Sequence, residues 1–272
     1  MEDIQNTLSG QIPHGPQYLS PDIYSKRSGV RWARGQRPVA GRDKMVVHVD
    51  VVRVFTDAAG RFGNPLGVVL EPGALGPDDR QTIATKLGFS ETVFVDDAAS
   101  ARLQIFMPSG ELPFAGHPLV GVSWLLARET GRPFDVLRPI RMSTPVSTFV
   151  EDGATWIRGS VADAPPWEHV QLSVVEDVEQ ADPPPPGGRW QQTQIWAWAD
   201  TGTHAIRARV FAQAMGVPED EACGSATLML AAELGRAITV RHGRGSVIRA
   251  RPAGPGQAEI GGLVAYDKAM IV

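Results

Sequence analysis

The chain has 272 residues, enough for two lobes of ordinary domain size, and its 43% hydrophobic and 21% charged content is in ordinary globular proportion, which excludes extensive disorder or a fibrous repeat. A net charge of −4 and a pI near 5.9 give no overall attraction to nucleic acid or anionic lipid, so the expected partner is a small molecule. One cysteine, Cys223, excludes an internal disulfide and any cysteine-rich zinc site.

Residues 1–44 are rich in Gly, Pro and Ser, lack apolar periodicity, and crowd Lys26, Arg27, Arg31, Arg34, Arg37, Arg42 and Lys44 into their second half. They read as a basic, poorly ordered N-terminal arm. The start of the chain carries Glu2 and Asp3 with no apolar segment and does not read as a signal peptide. Apolar runs such as 119–127 are far short of the roughly 18 to 20 residues that cross a bilayer. No membrane association is expected, and the cytoplasm is the expected location.

Regular structure is expected from Met45, where the β-branched run 46–55 predicts a strand. A turn at 59–61 and a break at Gly63-Asn64-Pro65 lead to a second strand over 66–70. Pro77, the acidic pair Asp78 and Asp79, the stripe Ile83, Ala84 and Leu87, and Gly88 predict a helix. Ser90-Glu91 then falls in a short connection before a strand at 92–95, where a carboxylate can point into a cleft.

Next, Pro118 at a first helical position and Gly131 as a stop frame a helix whose apolar residues go round every side. Such a helix is buried. About 108 residues on, Gly224-Ser225 opens a second nearly all-apolar helix stopped by Gly235, and each helix follows a β-like segment, at 101–107 and 205–211. The chain is therefore expected to be duplicated in architecture. A loop is expected at 183–188 and β-hairpins over 246–272. The expected division is the arm at 1–44, a first lobe at 45–140 to which a strand at 264–272 can return, and a second lobe at 141–263.

Two helix starts, Gly116-His117-Pro118 and Gly224-Ser225, offer free backbone N–H groups and positive dipole ends suited to a carboxylate or phosphate. The plainer alternative is that both glycines only permit tight turns. Acid/base candidates are Glu91, Asp220, His117 and Cys223. Glu91 has apolar flanks in Phe89, Val93 and Phe94, the surroundings that raise a carboxyl pKa, although a lone Glu before a strand is ordinarily solvated. The six histidines show no ligand spacing, so no metal is expected.

Taken in order, Phe55-Thr56-Asp57 with Gly63-Asn64-Pro65, Ser90-Glu91-Thr92, Gly116-His117-Pro118, Arg209-Val210-Phe211, the run 219–226 and Gly261-Gly262 resemble the phenazine-biosynthesis (PhzF-like) isomerase family over residues 45–272. The resemblance implies an α/β (α+β) fold of two pseudo-symmetric diaminopimelate epimerase-like lobes, each a curled sheet around a central apolar helix. It implies a homodimer without metal or organic cofactor, acting on a small carboxylate substrate. Residue by residue, Glu91 matches the family's catalytic glutamate, Asp220 the aspartate that binds the substrate's polar group and assists, and His117 the histidine of the first helix start. The N–H groups of Gly116, His117, Gly224 and Ser225 match the substrate-carboxylate grip.

The chain departs from the family pattern in three ways. Cys223 replaces the usual threonine and falls on the cysteine of related two-thiol racemases, while the matching position in the first lobe is Ala115. Glu221 replaces the usual proline. The second lobe is short around 183–188. The implied function is an isomerase that shifts a proton, and with it a double bond, in a small unsaturated amino or cyclic carboxylic acid of specialised, antibiotic-like biosynthesis. The alternatives are an epimerase or racemase in which Cys223 serves as a second acid/base, and a carboxylate-binding protein of the same fold without turnover.

Overall fold

A computed structural model describes residues 46–272, so the N-terminal arm lies outside the described residues. β1 (His48–Thr56) and β2 (Phe62–Leu70) form an antiparallel hairpin, and Asp57 shapes its turn by accepting the Ala59 and Arg61 N–H groups at 3.0 and 2.8 Å. β2 includes Gly63-Asn64-Pro65, where the sequence predicts a break. Proline fits because β3 (Thr92–Asp97) pairs with β2 only from Gly67 onward, leaving one edge of β2 unpaired at Pro65.

A parallel crossover joins β2 to β3 through α1 (Pro77–Leu87). Asp79 accepts the Gly76 N–H at 3.1 Å at the helix start, and Gly88 ends it at φ +67°. β4 (Arg102–Met107) returns antiparallel and carries the short β5 (Gly110–Leu112). α2 (Gly116–Thr130) follows, two residues earlier than the sequence placed its start. Pro118 still falls within the first turn, where a missing N–H breaks no intrahelical bond. β6 (Val136–Pro139) then pairs parallel with β4, and β7 (Val146–Glu151) and β8 (Ala154–Ser160) complete this part of the ladder.

The second half repeats the order. β9 (Glu168–Gln171) crosses through α3 (Val175–Gln180) to the parallel β10 (Thr193–Asp200), and β11 (Ala205–Ala212) returns antiparallel with the short β12 (Val217–Asp220) beside it. α4 (Gly224–Leu234) is followed by β13 (Ile238–His242), parallel to β11, then β14 (Ser246–Pro252) and β15 (Gln257–Ile271). The C-terminal stretch is thus one hairpin with a very long second strand.

Strand alternation explains the layering in each half. In β1, Val52 and Val54 face α2 with Leu119, Leu125 and Leu126, while Val49 and Val51 face the other way onto Ile83 and Ala84 of α1. In the second half, Ala208 of β11 packs with Leu228 and Leu230 of α4, and Ile195, Ala197 and Phe211 pack with Val178 of α3. Each lobe is a curled sheet with an apolar helix inside and a smaller one outside. The α2 and α4 cores merge into one apolar cluster through Phe114, Ile157 and Ile260.

β15 joins the lobes. Its first part, 257–262, pairs with β8 and, over Ala258–Gly261, with β14, while its later part, Leu263–Ile271, pairs with β1. The first ladder therefore closes on itself, whereas the second ends at β9, which pairs only with β10. The Gly262 position explains why the crossing strand needs glycine: a Cβ there would meet Phe55 at 2.7 Å and the Val247 carbonyl at 2.9 Å.

Candidate functional site

The two inner helices meet end to end between the lobes. A Cβ on Gly116 would lie 3.0 Å from the Gly224 backbone, and one on Gly224 would lie 3.1 Å from the His117 nitrogen. The glycines therefore do more than allow turns, because they let two positive helix ends touch. The first intrahelical bonds run from Leu119 N–H to Ala115 and from Thr227 N–H to Cys223, so the N–H groups of Gly116, His117, Gly224 and Ser225 precede both. A carboxylate entering here would meet donors from both lobes.

A narrow cleft opens at this point, and Ser90, Glu91, Gly116, His117, Asp220, Cys223, Gly224 and Ser225 all line it. Every residue singled out in the sequence as a candidate reaches the same place. Its remaining wall is apolar, with Met107, Leu112 and Phe114 from the first lobe and Trp167, Met215 and Val217 from the second. Neither lysine nor arginine lines it.

Glu91, in the connection between α1 and β3, has a side chain only 15% exposed. Its Oε2 lies 3.5 Å from His117 Nε2, yet neither atom has a hydrogen-bond partner. Such a pair of buried, unsatisfied polar atoms costs stability and is expected where a ligand completes the bonding. Burial, with the charge of Asp220 adding to it, pushes the Glu91 pKa up to about 8. Burial pushes His117 down to about 3, leaving a neutral imidazole.

Asp220, at the end of β12, is raised mainly by burial, an effect countered by N–H donation from Ala222 at 3.2 Å and from the Asn64 side chain at 2.7 Å. Cys223 precedes α4 and is 4% exposed. Burial and the Asp220 charge push its thiol well above the usual range, outweighing the helix end. It remains a thiol, 3.6 Å from the Ser225 hydroxyl.

Two residues of the site are not among the candidates the sequence offers. Asn64, quoted only within a turn-like motif, carries its amide from the first lobe to Asp220 in the second; a polar residue buried inside a strand would have been the signal. Trp167 donates its indole N–H to the Ser225 hydroxyl at 2.9 Å and walls the cleft. No pattern in the sequence distinguished it from the other six tryptophans. Glu221 turns away from the cleft and accepts from Arg244 and Ser246. Among the described residues, no cluster of His, Cys, Asp and Glu suits a metal ion, and no helix is long and apolar enough to cross a membrane.

Comparison with known proteins gives a consistent picture. Residues 52–156 match the family model of phenazine biosynthesis-like proteins. The chain is 28% identical over 217 residues to the trans-2,3-dihydro-3-hydroxyanthranilate isomerase of Pseudomonas aeruginosa, covering 67% of this chain and 78% of that protein. A PhzF-family protein of Bacillus anthracis superposes with a TM-score of 0.69 at 21% identity, over 84% of this chain and 99% of that one. A hydroxyproline epimerase of Agrobacterium vitis shares the fold more distantly, with a TM-score of 0.54 at 12% identity over 84% and 93% of the two chains.

Proposed function

We propose that this chain is a PhzF-like isomerase that moves a proton within a small unsaturated amino or cyclic carboxylic acid, with Glu91 as acid and base; it has a diaminopimelate epimerase-like fold and matches the phenazine biosynthesis-like proteins over residues 52–156. The observation that carries this reading is the buried Glu91 carboxyl, raised to about 8, whose Oε2 is left unpartnered beside the unpartnered His117 Nε2 at the junction of two helix ends. A group that titrates near 8 has both forms populated around neutral pH, so it can take a proton from one carbon and return it to another.

The other residues have roles that follow from their chemistry. The N–H groups of Gly116, His117, Gly224 and Ser225 hold the substrate carboxylate and fix the pose. Neutral His117 hydrogen-bonds the substrate beside Glu91. Asp220, held as an acceptor by Asn64, accepts a hydrogen bond from a substrate amino or hydroxyl group. The apolar wall covers the unsaturated body and excludes water. The proposed proton shift calls for neither metal nor organic cofactor, and a homodimer in the cytoplasm, serving specialised-metabolite biosynthesis, is the setting we propose.

Trans-2,3-dihydro-3-hydroxyanthranilate, named for the Pseudomonas aeruginosa relative, is the first compound to test. In deuterium oxide, the wild-type protein is expected to incorporate deuterium at carbon into this compound or a related amino acid. Full incorporation by Glu91→Gln would remove Glu91 from the mechanism. The alternative of a Cys223-assisted epimerase predicts that Cys223→Ser abolishes exchange, whereas the present reading predicts near-wild-type exchange.

A further inference from the structure

Two consecutive residues of the first lobe are tied to two consecutive residues of the second. Asn64 donates to Asp220 at 2.7 Å, and next to it the Gly63 N–H donates to the Ser246 hydroxyl at 2.9 Å, which itself donates to Glu221 at 2.8 Å. Ser246 is fully buried and Asn64 is 4% exposed. Glu221 is held further by the β13–β14 turn: the Arg244 N–H reaches both its carboxylate oxygens at 3.1 Å and the Arg244 guanidinium reaches one at 3.0 Å. On the main chain, His242 Nδ1 bonds the Glu221 carbonyl at 2.9 Å.

A hydroxyl that accepts from one lobe while donating to the other has both roles used, so Ser246 has a single orientation here. Glu221 departs from the proline that the family resemblance leads one to expect, and all its contacts face the β13–β14 turn. We infer that Glu221 and Ser246 are positioning residues: with Asn64 they form a clasp that ties the lobes together beside the cleft and sets the distance of Asp220 from Glu91. This rests on the reading of Glu91 and Asp220 given above. The clasp also fixes the entry to α4, since Asp220 and Glu221 lie only three or four residues before Gly224.

The groups that face this pair are few. Glu91 faces Asp220, neutral His117 and the Cys223 thiol; Asp220 also meets the Cys223 thiol and the charge of Glu221, which raises it; and Glu221 faces Arg244 and the buried, neutral His242. Because Asp220 helps raise Glu91, the titration of Glu91 reports their separation without any substrate.

The experiment follows carboxyl signals by NMR in protein labelled with carbon-13 at the glutamate side-chain carboxyl, assigning Glu91 by its loss in Glu91→Gln. Asp220→Asn sets the full size of the Asp220 effect. Ser246→Ala, which changes no charge, is expected to lower the Glu91 midpoint by at least half of that shift, and Glu221→Gln, which keeps an acceptor for Ser246 but weakens the Arg244 contact, should lower it less. If Ser246→Ala does not fold, Glu221→Gln decides alone. An unmoved midpoint in the folded variants overturns the clasp, as does an unmoved midpoint in Asp220→Asn. Deuterium wash-in dependent on Glu91 would stand in either case, so failure of the clasp is distinguishable from failure of the proposed function.

Discussion

The two lobes share one plan and are stabilised differently. In the first, the ladder closes through β15 around the 15-residue α2, and the 11-residue α1 covers the outside with Ile83 and Ala84. In the second, the ladder stops at β9 and the outer helix α3 has only six residues, with Val178 as its buried side chain. Ion pairs take over where apolar length is missing. Glu179 of α3 binds the buried Arg207 at 2.7 and 3.0 Å and Arg241 at 2.7 Å. The comparison teaches that a repeated fold can keep its inner helix ends, where the proposed site lies, while its outer layer changes from packing to electrostatics.

The largest expected effect tests where chemistry sits in this pair. Glu91→Gln should reduce solvent exchange by roughly 10²- to 10⁴-fold, the usual contribution of a positioned acid/base. Cys223→Ser, in the second lobe, should stay within about threefold, because the buried thiol is not ionised near neutral pH. Equal losses in both variants would mean that the two lobes contribute acid/base groups symmetrically.

Core deletions should separate closed from open. Leu125 in α2 and Leu230 in α4 are both buried, and truncation of such a leucine to alanine costs about 2–5 kcal/mol depending on how far the surroundings collapse. Denaturant unfolding should place Leu125→Ala toward the upper end and Leu230→Ala toward the lower, since a sheet with a free edge can relax. The reverse order would show that closure of the ladder does not stiffen the first core.

A smaller effect is expected at the ion pairs. Glu179→Ala leaves Arg207 buried without its carboxylate partner and should cost roughly 1.5–3 kcal/mol, with hydrogen exchange accelerated in α3 and β9 before the first lobe. Uniform acceleration throughout the chain would mean that the lobes unfold as one unit.

Per pH unit, the smallest effect is a pH dependence of opposite sign in the two lobes. Glu91 is raised from 4.5 to about 8, so the fold favours its neutral form; its contribution is complete below about 4.5 and is lost as pH rises toward 8, on the order of 1 kcal/mol per pH unit. Glu179 is lowered, chiefly by its hydrogen bond to Arg207, so its contribution is present above its unfolded value and is lost as pH falls. Melting temperatures from pH 5 to 8 should therefore fall in the wild type relative to Glu91→Gln. A constant difference between the two would place an ionised Glu91 in the folded protein.

Much of this arrangement was legible from residues alone. All-apolar stretches opened by glycine at Gly116 and Gly224 and stopped at Gly131 and Gly235 marked the inner helices, because a helix without a polar face must be buried. The duplicated order of elements, and the short connection that holds Glu91, followed from the same local chemistry. These are properties of neighbouring residues, and local sequence determined them.

Long-range pairing decided the rest. Nothing near Asn64 indicates that its amide meets Asp220, 156 positions later, and Glu221 shows its direction only once β14 brings Ser246 beside it. The same applies to Trp167 and Ser225, and to β15, which closes one ladder and leaves the other open. The Glu91 pKa likewise depends on which residues exclude water from it, and those come from both lobes. Burial and cross-lobe hydrogen bonds arise only when distant segments pack, so the tertiary structure determined them.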